Sequence, residues 1–590
     1  MTQHDVIASL PEHLRPFAAI QHYERYTPRD HAVWRFLLHQ LTLQLSSTAH
    51  AVYQEGLAAT GIDLEHIPRI EDINEKLSEL GWRAVVVSGF VPPAVFMEFQ
   101  AHRVMPIAVD MRSIDHMLYT PAPDIVHESA GHLPFVVDVD YAEFLQRFGE
   151  LGMHAISSRG DLAVYEAVRH LSIVKESPDA TAQEIADAET ALTDALAANS
   201  DPSEAALLAR LHWWTVEYGL VGSTDDYRIF GAGLLSSLGE SVNCLNDASV
   251  NKLPLTVDAI DTNYDITSQQ PQLFVTKSCR HLTQVLTEFG KRMGVHQGGL
   301  PALELARTAG TVNTAVTNAG VMVSGVVGET LTDAVGNPTY IRMSGPAQIA
   351  YERRELPGHG IDYHAEGFGS PIGRLQAMER CLSSYTIDEL KRHHIETGET
   401  ATLEFLSGIT VRGYLAKILR RDQKNLVMTF EDCTVTALDG SVLFDPAWGV
   451  YDMIVGDRID SVFGGSADPV KYPLYAKPSK EHAVSSTLSP TLDEVYAAYD
   501  AVRACREQGT GDADALAADA LTNHPNEWLL LFEAAELQPA NVQPLLTRLT
   551  QLADDGPDDR RRLIHYGLER LARARSTPKL PTAEKAETVV

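Results

Sequence analysis

A chain of 590 residues, 44% hydrophobic and 22% charged, has room for roughly two to four domains of ordinary globular composition and needs no disulfide or structural metal on grounds of size. A formal net charge of −31 excludes nucleic acid and anionic membranes as partners drawn by the overall field. Five scattered cysteines with no CxxC pair exclude a zinc ribbon and a disulfide framework. They suit a cytoplasmic location, as do the missing signal-peptide pattern and the lack of any apolar run near the ~20 residues of a membrane span.

In chain order, residues 1 to about 60 read as helices, with apolar positions every three or four residues in HAVWRFLLHQLTLQLSSTAHAVYQEGLAATGI. RAVVVSGFVPP (83–93) reads as a short strand ending at a Gly/Pro turn. LYTPAPD (118–124) carries two prolines and reads as extended or turn backbone. Asp124 then suits the N-cap of a helix that Gly131 and Pro134 soon disturb. Residues 141 to 220 read as helical. Within them the acidic, Ala-rich stretch 175–202 reads as a solvent-exposed helical hairpin inserted in the fold. The sequence Asp201-Pro202-Ser203-Glu204 predicts a helix start with Asp201 as the cap, followed by the apolar stripe Leu207, Leu208, Leu211, Trp214 and Tyr218.

Past residue 300 the texture changes. Val, Thr, Ile and Gly dominate from about 305 to 480, with apolar/polar alternation between turn residues. From about 488 the chain returns to Ala/Leu-rich helical runs, and its last residues have the composition of a disordered tail. The predicted fold class is therefore multidomain α+β. It comprises a mainly helical N-terminal catalytic domain (1–298), a β-rich middle domain (299–486), a small helical C-terminal domain (487–576) and a tail (577–590).

The segment PDIVHESAGHLP (123–134) carries the most chemistry. His127 and His132 stand five positions apart, roughly 140° around a regular α-helix. Two imidazole ligands at that spacing require the helix to end or bend, and Gly131 is placed to supply the bend. The order differs from HExxH, which puts both histidines one turn apart in zinc proteases. Glu217 lies in the nearly apolar WWTVEYGLVG (213–222), where an ionised carboxylate needs a partner, either a metal ion or an arginine. Two imidazoles and one carboxylate make the facial set used by non-haem Fe(II) oxygenases.

Taken together, YTPAPDIVHESAGHLP (119–134), ARLHWWTVEYGL (209–220), FGAGLLSSLGE (230–240), LPLTVDAIDTNYDITSQQPQLFV (253–275) and GWRAVVVSGFVPPAVF (81–96) resemble, in matching order, the tetrahydrobiopterin-dependent aromatic amino acid hydroxylases. The resemblance runs from about residue 10 to 295 and is greatest to phenylalanine 4-monooxygenases. It implies Fe(II) held by His127, His132 and Glu217. It also implies tetrahydrobiopterin or a related tetrahydropterin as co-substrate, against Gly89, Val91, Phe96 and Glu128. Arg112 matches the arginine that clamps the substrate carboxylate, a task a bidentate guanidinium suits. Thr120, Ser236 and Glu240 match residues around the amino acid, and Trp213 a ring beside its aromatic side. The sequence departs from the family at His212, where a Tyr is usual, and at Pro93, where a polar residue is usual.

The implied reaction is O₂-dependent ring hydroxylation of an aromatic amino acid, phenylalanine to tyrosine first, with tryptophan and tyrosine hydroxylation as alternatives. Two other readings share the residues: a zinc hydrolase using the same three ligands, and a binding or scaffold protein whose extension beyond 300 carries the function. That extension is also the candidate surface for homo-oligomer formation.

Overall fold

The computed structural model describes residues 1–87, 91–118, 123–176, 180–265, 269–475 and 490–576. Gly89, Thr120 and the tail 577–590 lie outside the described residues. The architecture is mixed α and β with several sheets, as the α+β expectation requires. No described helix is long and apolar enough to cross a membrane.

The N-terminal half is built on helices with clear start signals. Thr27 accepts from the Asp30 amide and Asp30 reaches back to the Thr27 amide, so a capping box with Pro28 at the first position opens the helix Pro28–Leu45. Its Trp34, Phe36, Leu37, Leu38 and Leu41 are fully buried. Strand Arg83–Val87 pairs in parallel with Val104–Ala108 through the crossover helix Pro93–Ala101. Pro93 thus sits in the first turn of that helix, where a missing N–H costs nothing. A four-stranded sheet orders Tyr227–Ile229, Leu220–Gly222, Gln272–Thr276 and Asn251–Pro254.

The acidic insertion does form a helical hairpin, but it begins earlier than its composition indicates. Helix Arg159–Glu176 packs on Ala182–Ala198, with Leu171, Ala188 and Leu192 in a small core of their own. The next helix is Glu204–His212, and its cap is Ser203, whose Oγ accepts from the Ala206 amide at 3.2 Å; Asp201 is not the cap. Glu204 turns inward instead. Its carboxylate accepts from the Gly294 amide at 2.6 Å and the Ile156 amide at 3.1 Å, satisfying two buried backbone donors.

Beyond residue 300, a seven-stranded sheet with Val312–Thr317, Val321–Val327 and Pro338–Tyr351 at its centre faces a five-stranded sheet built on Thr410–Arg421 and Lys424–Thr436. Their apolar residues form two further clusters, one of which also takes in Ile156 of the first half. The C-terminal helices behave differently. Trp528, Leu529, Phe532, Leu549 and Ile564 belong to the same buried cluster as Trp34, Phe36 and Phe144 of the first half.

Candidate active site

The two histidines lie on a seven-residue π-helical segment, Val126–His132. Gly131 does not act as a bend. A π turn closes i→i+5 hydrogen bonds, so residues five apart come to lie over one another on the same face. The His-x4-His spacing is thus a ligand pair on a wide turn. What Gly131 supplies is room: a Cβ there would lie 2.9 Å from the Ala232 carbonyl oxygen and 3.0 Å from its Cβ. Glu217 also ends a π turn, Trp213–Glu217, with the Tyr218 amide donating to the Trp213 carbonyl at 2.8 Å. Gly231 lets the neighbouring chain press against that turn, because a Cβ on it would meet the Glu217 carbonyl oxygen at 2.5 Å.

The three predicted ligands converge. His127 Nε2 and His132 Nε2 are 3.1 Å apart, His127 Nε2 is 3.2 Å from Glu217 Oε2, and His132 Nε2 is 3.4 Å from Glu217 Oε1. These separations are close to the ~3 Å edge between donors that share one ion at bonds of roughly 2.0–2.2 Å. His127 Nδ1 meets the Ser236 hydroxyl at 3.1 Å, and that hydroxyl donates onward to the Ala232 carbonyl at 2.7 Å. Ser236 Oγ must therefore accept from Nδ1–H, which leaves the lone pair on Nε2 facing the other donors. Burial works to raise the Glu217 carboxyl, but the attraction of His132 and His127 prevails and holds it well below the ordinary carboxylate range. The donor set is one that a divalent ion fits.

A second carboxylate stands beside the first. Glu128 Oε2 is 3.9 Å from His132 Nε2 and has no hydrogen-bond partner among the described residues. Burial, helped by the Glu217 charge, pushes its carboxyl up to about 8. Such a group is an acceptor or donor waiting for a polar ligand. His127, Glu128, His132 and Glu217 line a cleft of ≈ 1700 Å³ together with Val91, Phe96 and Pro93. The 159–198 hairpin and residues 469–475 line its outer part, so the inserted hairpin is also a wall of the cleft.

Of the residues expected around the amino acid, Arg112 is tied directly to Ser236. Arg112 is fully buried and forks onto Asp124, Nε to Oδ2 and Nη2 to Oδ1, both at 2.7 Å, while Nη1 donates to the Ser236 carbonyl at 2.9 Å. Asp124 does act at the start of the ligand segment, accepting from the His127 amide at 3.0 Å. Its pairing with Arg112 was not read from the sequence, although a buried arginine always requires such a partner. Trp213 stacks between Tyr218 and Tyr264, with ring centroids at 4.5 and 4.4 Å. Tyr264 was also missed; its place in NYD of the 253–275 motif was the available signal. Glu240 is buried, its Oε1 has no partner among the described residues, and burial pushes its carboxyl up to about 7. Phe96 meets His212 edge to face at 6.4 Å, and His212 Nδ1 lies 3.6 Å from Glu217 Oε1. Burial drives the His212 imidazole down to about 4, so it stands neutral beside the ligands.

Comparison with known proteins identifies the family. A family model described as biopterin-dependent aromatic amino acid hydroxylase matches residues 3–162 and 163–297. A phenylalanine-4-hydroxylase of Chromobacterium violaceum is 30% identical over 268 residues, covering 45% of this chain and 75% of that protein. One of Ralstonia nicotianae is 32% identical over 272 residues, covering 46% and 73%. A crystal structure of the C. violaceum phenylalanine hydroxylase, with bound iron(III) and 7,8-dihydrobiopterin, aligns with 28% identity over 49% of this chain and 91% of that one, at a TM-score of 0.38. This chain belongs to the biopterin-dependent aromatic amino acid hydroxylases.

Proposed function

We propose that this hydroxylase acts on phenylalanine, giving tyrosine, with Fe(II) on His127, His132 and Glu217 and a tetrahydropterin against Val91, Phe96 and Glu128. The observation that carries the reading is the convergence of three donors from two distant segments to within 3.1–3.4 Å of one another. The names of the relatives above support phenylalanine over tryptophan and tyrosine.

Iron and reduced pterin, when bound, supply O₂ activation and the electrons that the second oxygen atom needs to leave as water. The chain supplies position. Ser236 holds the His127 ring in one tautomer, and Glu217 places a fixed negative charge beside both imidazoles. Three donors on one side leave the opposite side open for O₂ and ligand. Glu128, poised with a free oxygen, is the partner for a polar edge of the pterin. Arg112, braced by Asp124, keeps one hydrogen on each of Nη1 and Nη2 for the substrate carboxylate, and the Tyr218–Trp213–Tyr264 stack forms a flat apolar wall for its ring. The zinc hydrolase reading has neither the family nor the HExxH spacing on its side, and an intact donor set weighs against a pure scaffold.

The same reading assigns residues 1–298 to catalysis, 299–486 to a β-rich domain and 487–576 to a helical domain. Two apolar clusters drawn, Ile156 apart, from residues beyond 299 support the first boundary. The third domain is better described as a buttress of the first, because the two share one core. Self-association through the extension is the associated expectation, and light scattering on the whole chain checks it.

The test is anaerobic loading with Fe(II) and turnover with phenylalanine, tyrosine and tryptophan in the presence of a tetrahydropterin. Tyrosine formation from phenylalanine, lost in Glu217→Gln, is the expected result. Preferred turnover of another amino acid would overturn the substrate.

A further inference from the structure

The β-rich part contains a second pair of histidines at the same spacing, His359 and His364, in GHGIDYHAEG (358–367). Neither lies near the first site in sequence. His359 Nδ1 is 3.2 Å from His364 Nε2 and 3.9 Å from Asp452 Oδ2, and one ligand atom from each of the three residues falls within 4.8 Å of the others. All three residues are buried, at 5%, 8% and 5% exposure. That burial separates the cluster from a surface group of acids and imidazoles, where such proximity is common and means little.

The scaffold holds the donors in place. The Ile349 amide donates to the His359 carbonyl at 2.9 Å and the Ala347 amide to the His364 carbonyl at 3.0 Å, so both histidines are tied to strand Pro338–Tyr351. Asp452 sits in strand Tyr451–Ile454 opposite Thr429, whose hydroxyl donates to Asp452 Oδ1 at 2.7 Å. The Tyr363 phenol also hydrogen-bonds to the Asp452 carboxylate, and Oδ2 is the oxygen that faces His359. The Tyr363 ring covers the pair, 5.9 Å from His359 and 4.7 Å from His364.

The electrostatics call for a cation. Both imidazoles are buried, and a neutral ring keeps one nitrogen lone pair for a cation. Among the described residues Asp452 makes no ion pair with a lysine or arginine; Lys417 and Glu355 act on His359 only at longer range. A buried carboxylate with no cationic partner is costly. A tetrahedral ion with bonds of roughly 2.0–2.1 Å sets its donors roughly 3.3 Å apart; the two nitrogens at 3.2 Å already have that spacing, and Asp452 Oδ2, 3.9 Å from His359, closes in on binding.

We propose that His359 Nδ1, His364 Nε2 and Asp452 Oδ2 bind a zinc-class divalent ion, a second metal site separate from the catalytic one. Two neutral imidazoles and one carboxylate suit Zn²⁺, with one position left for water. Its effect is structural: the ion staples the 356–367 loop to strand Tyr451–Ile454.

Zinc bound per full-length chain, measured by mass spectrometry after chelator stripping and reloading with zinc alone, tests this. The expected result is roughly two equivalents in the parent and roughly one in Asp452→Asn, which keeps the Thr429 hydrogen bond and the hydroxylase activity. His364→Gln serves if Asp452→Asn does not fold. In a His132→Ala/Glu217→Ala chain, whose second cluster is untouched, Co²⁺ is expected to give the strong visible absorption of a tetrahedral site. One equivalent in the parent that survives Asp452→Asn, or no such absorption in the doubly substituted chain, would overturn the proposal and leave the pair as an N–H···N hydrogen bond.

Discussion

Phe36 and Phe532 meet edge to face with ring centroids 5.2 Å apart, although they come from opposite ends of the chain. Trp528 packs on the same ring at 5.4 Å, and the Arg570 guanidinium lies over it at 5.3 Å. Around this contact Arg35 pairs with Glu65 at 2.5 Å, with Glu533 at 3.0 Å and with Glu536, while Arg506 pairs with Glu533 and Arg570 with Glu536 at 2.8 Å. Three cations, Arg35 buried and the other two partly so, thus meet three carboxylates. Removing residues 488–590 would bare Phe36 and leave Arg35 with only Glu65. The expected outcome is a 1–487 fragment that aggregates or melts well below the whole chain, and thermal unfolding checks it. Phe36→Ala is the milder version, costing about 3–5 kcal/mol in the whole chain.

Ser236→Ala removes the acceptor for His127 Nδ1–H without touching a ligand. Loss of such an orienting bond weakens metal binding by about 10–100-fold. Competition with a calibrated chelator reads this directly. Unchanged iron affinity would mean that packing alone orients the ring.

Glu240 gives the chain a pH signature. Its carboxyl is raised to about 7 in the folded state against an ordinary value of 4.5. The folded state therefore favours the protonated form. Its penalty is absent below the unfolded value, grows as pH rises from about 4.5 to about 7, and is complete above that. Glu240→Gln is expected to stabilise the fold by about 1–3 kcal/mol at pH 8 and by little at pH 4.5. Urea titrations of both proteins at the two pH values check it. Substrate affinity is expected to fall in the same variant, a familiar exchange of stability for function.

Gly131→Ala places a methyl against the Ala232 carbonyl and side chain, beside His132. Overpacking of this kind costs about 1–3 kcal/mol. The expected result is a lower melting temperature together with reduced iron retention, since His132 moves with the π turn. Gly336, where no atom lies within 4 Å of an added Cβ but φ is positive, is the control: an alanine there should cost stability without affecting iron.

Residue chemistry made much of the site legible. Two imidazoles at a fixed spacing, an acid in an apolar run and the ordered motifs around them point to the three donors and to the family. Composition also separated the three textures of the chain. Tertiary context was needed elsewhere. The 140° objection to His127 and His132 disappears only because the segment winds as a π turn, which packs closely against Ala232. The sequence predicts Asp201 as a cap, but Ser203 takes that place and Glu204 accepts from the Gly294 and Ile156 amides.

The amino-acid sequence alone determined which side chains could hold a metal, because donor chemistry belongs to residue type and spacing. Tertiary structure alone decided how those donors are aimed, what Arg112 leans on, and that the last helices complete the first core. Each of these depends on contacts between segments far apart in the chain, and no local pattern of propensity or periodicity carries such contacts.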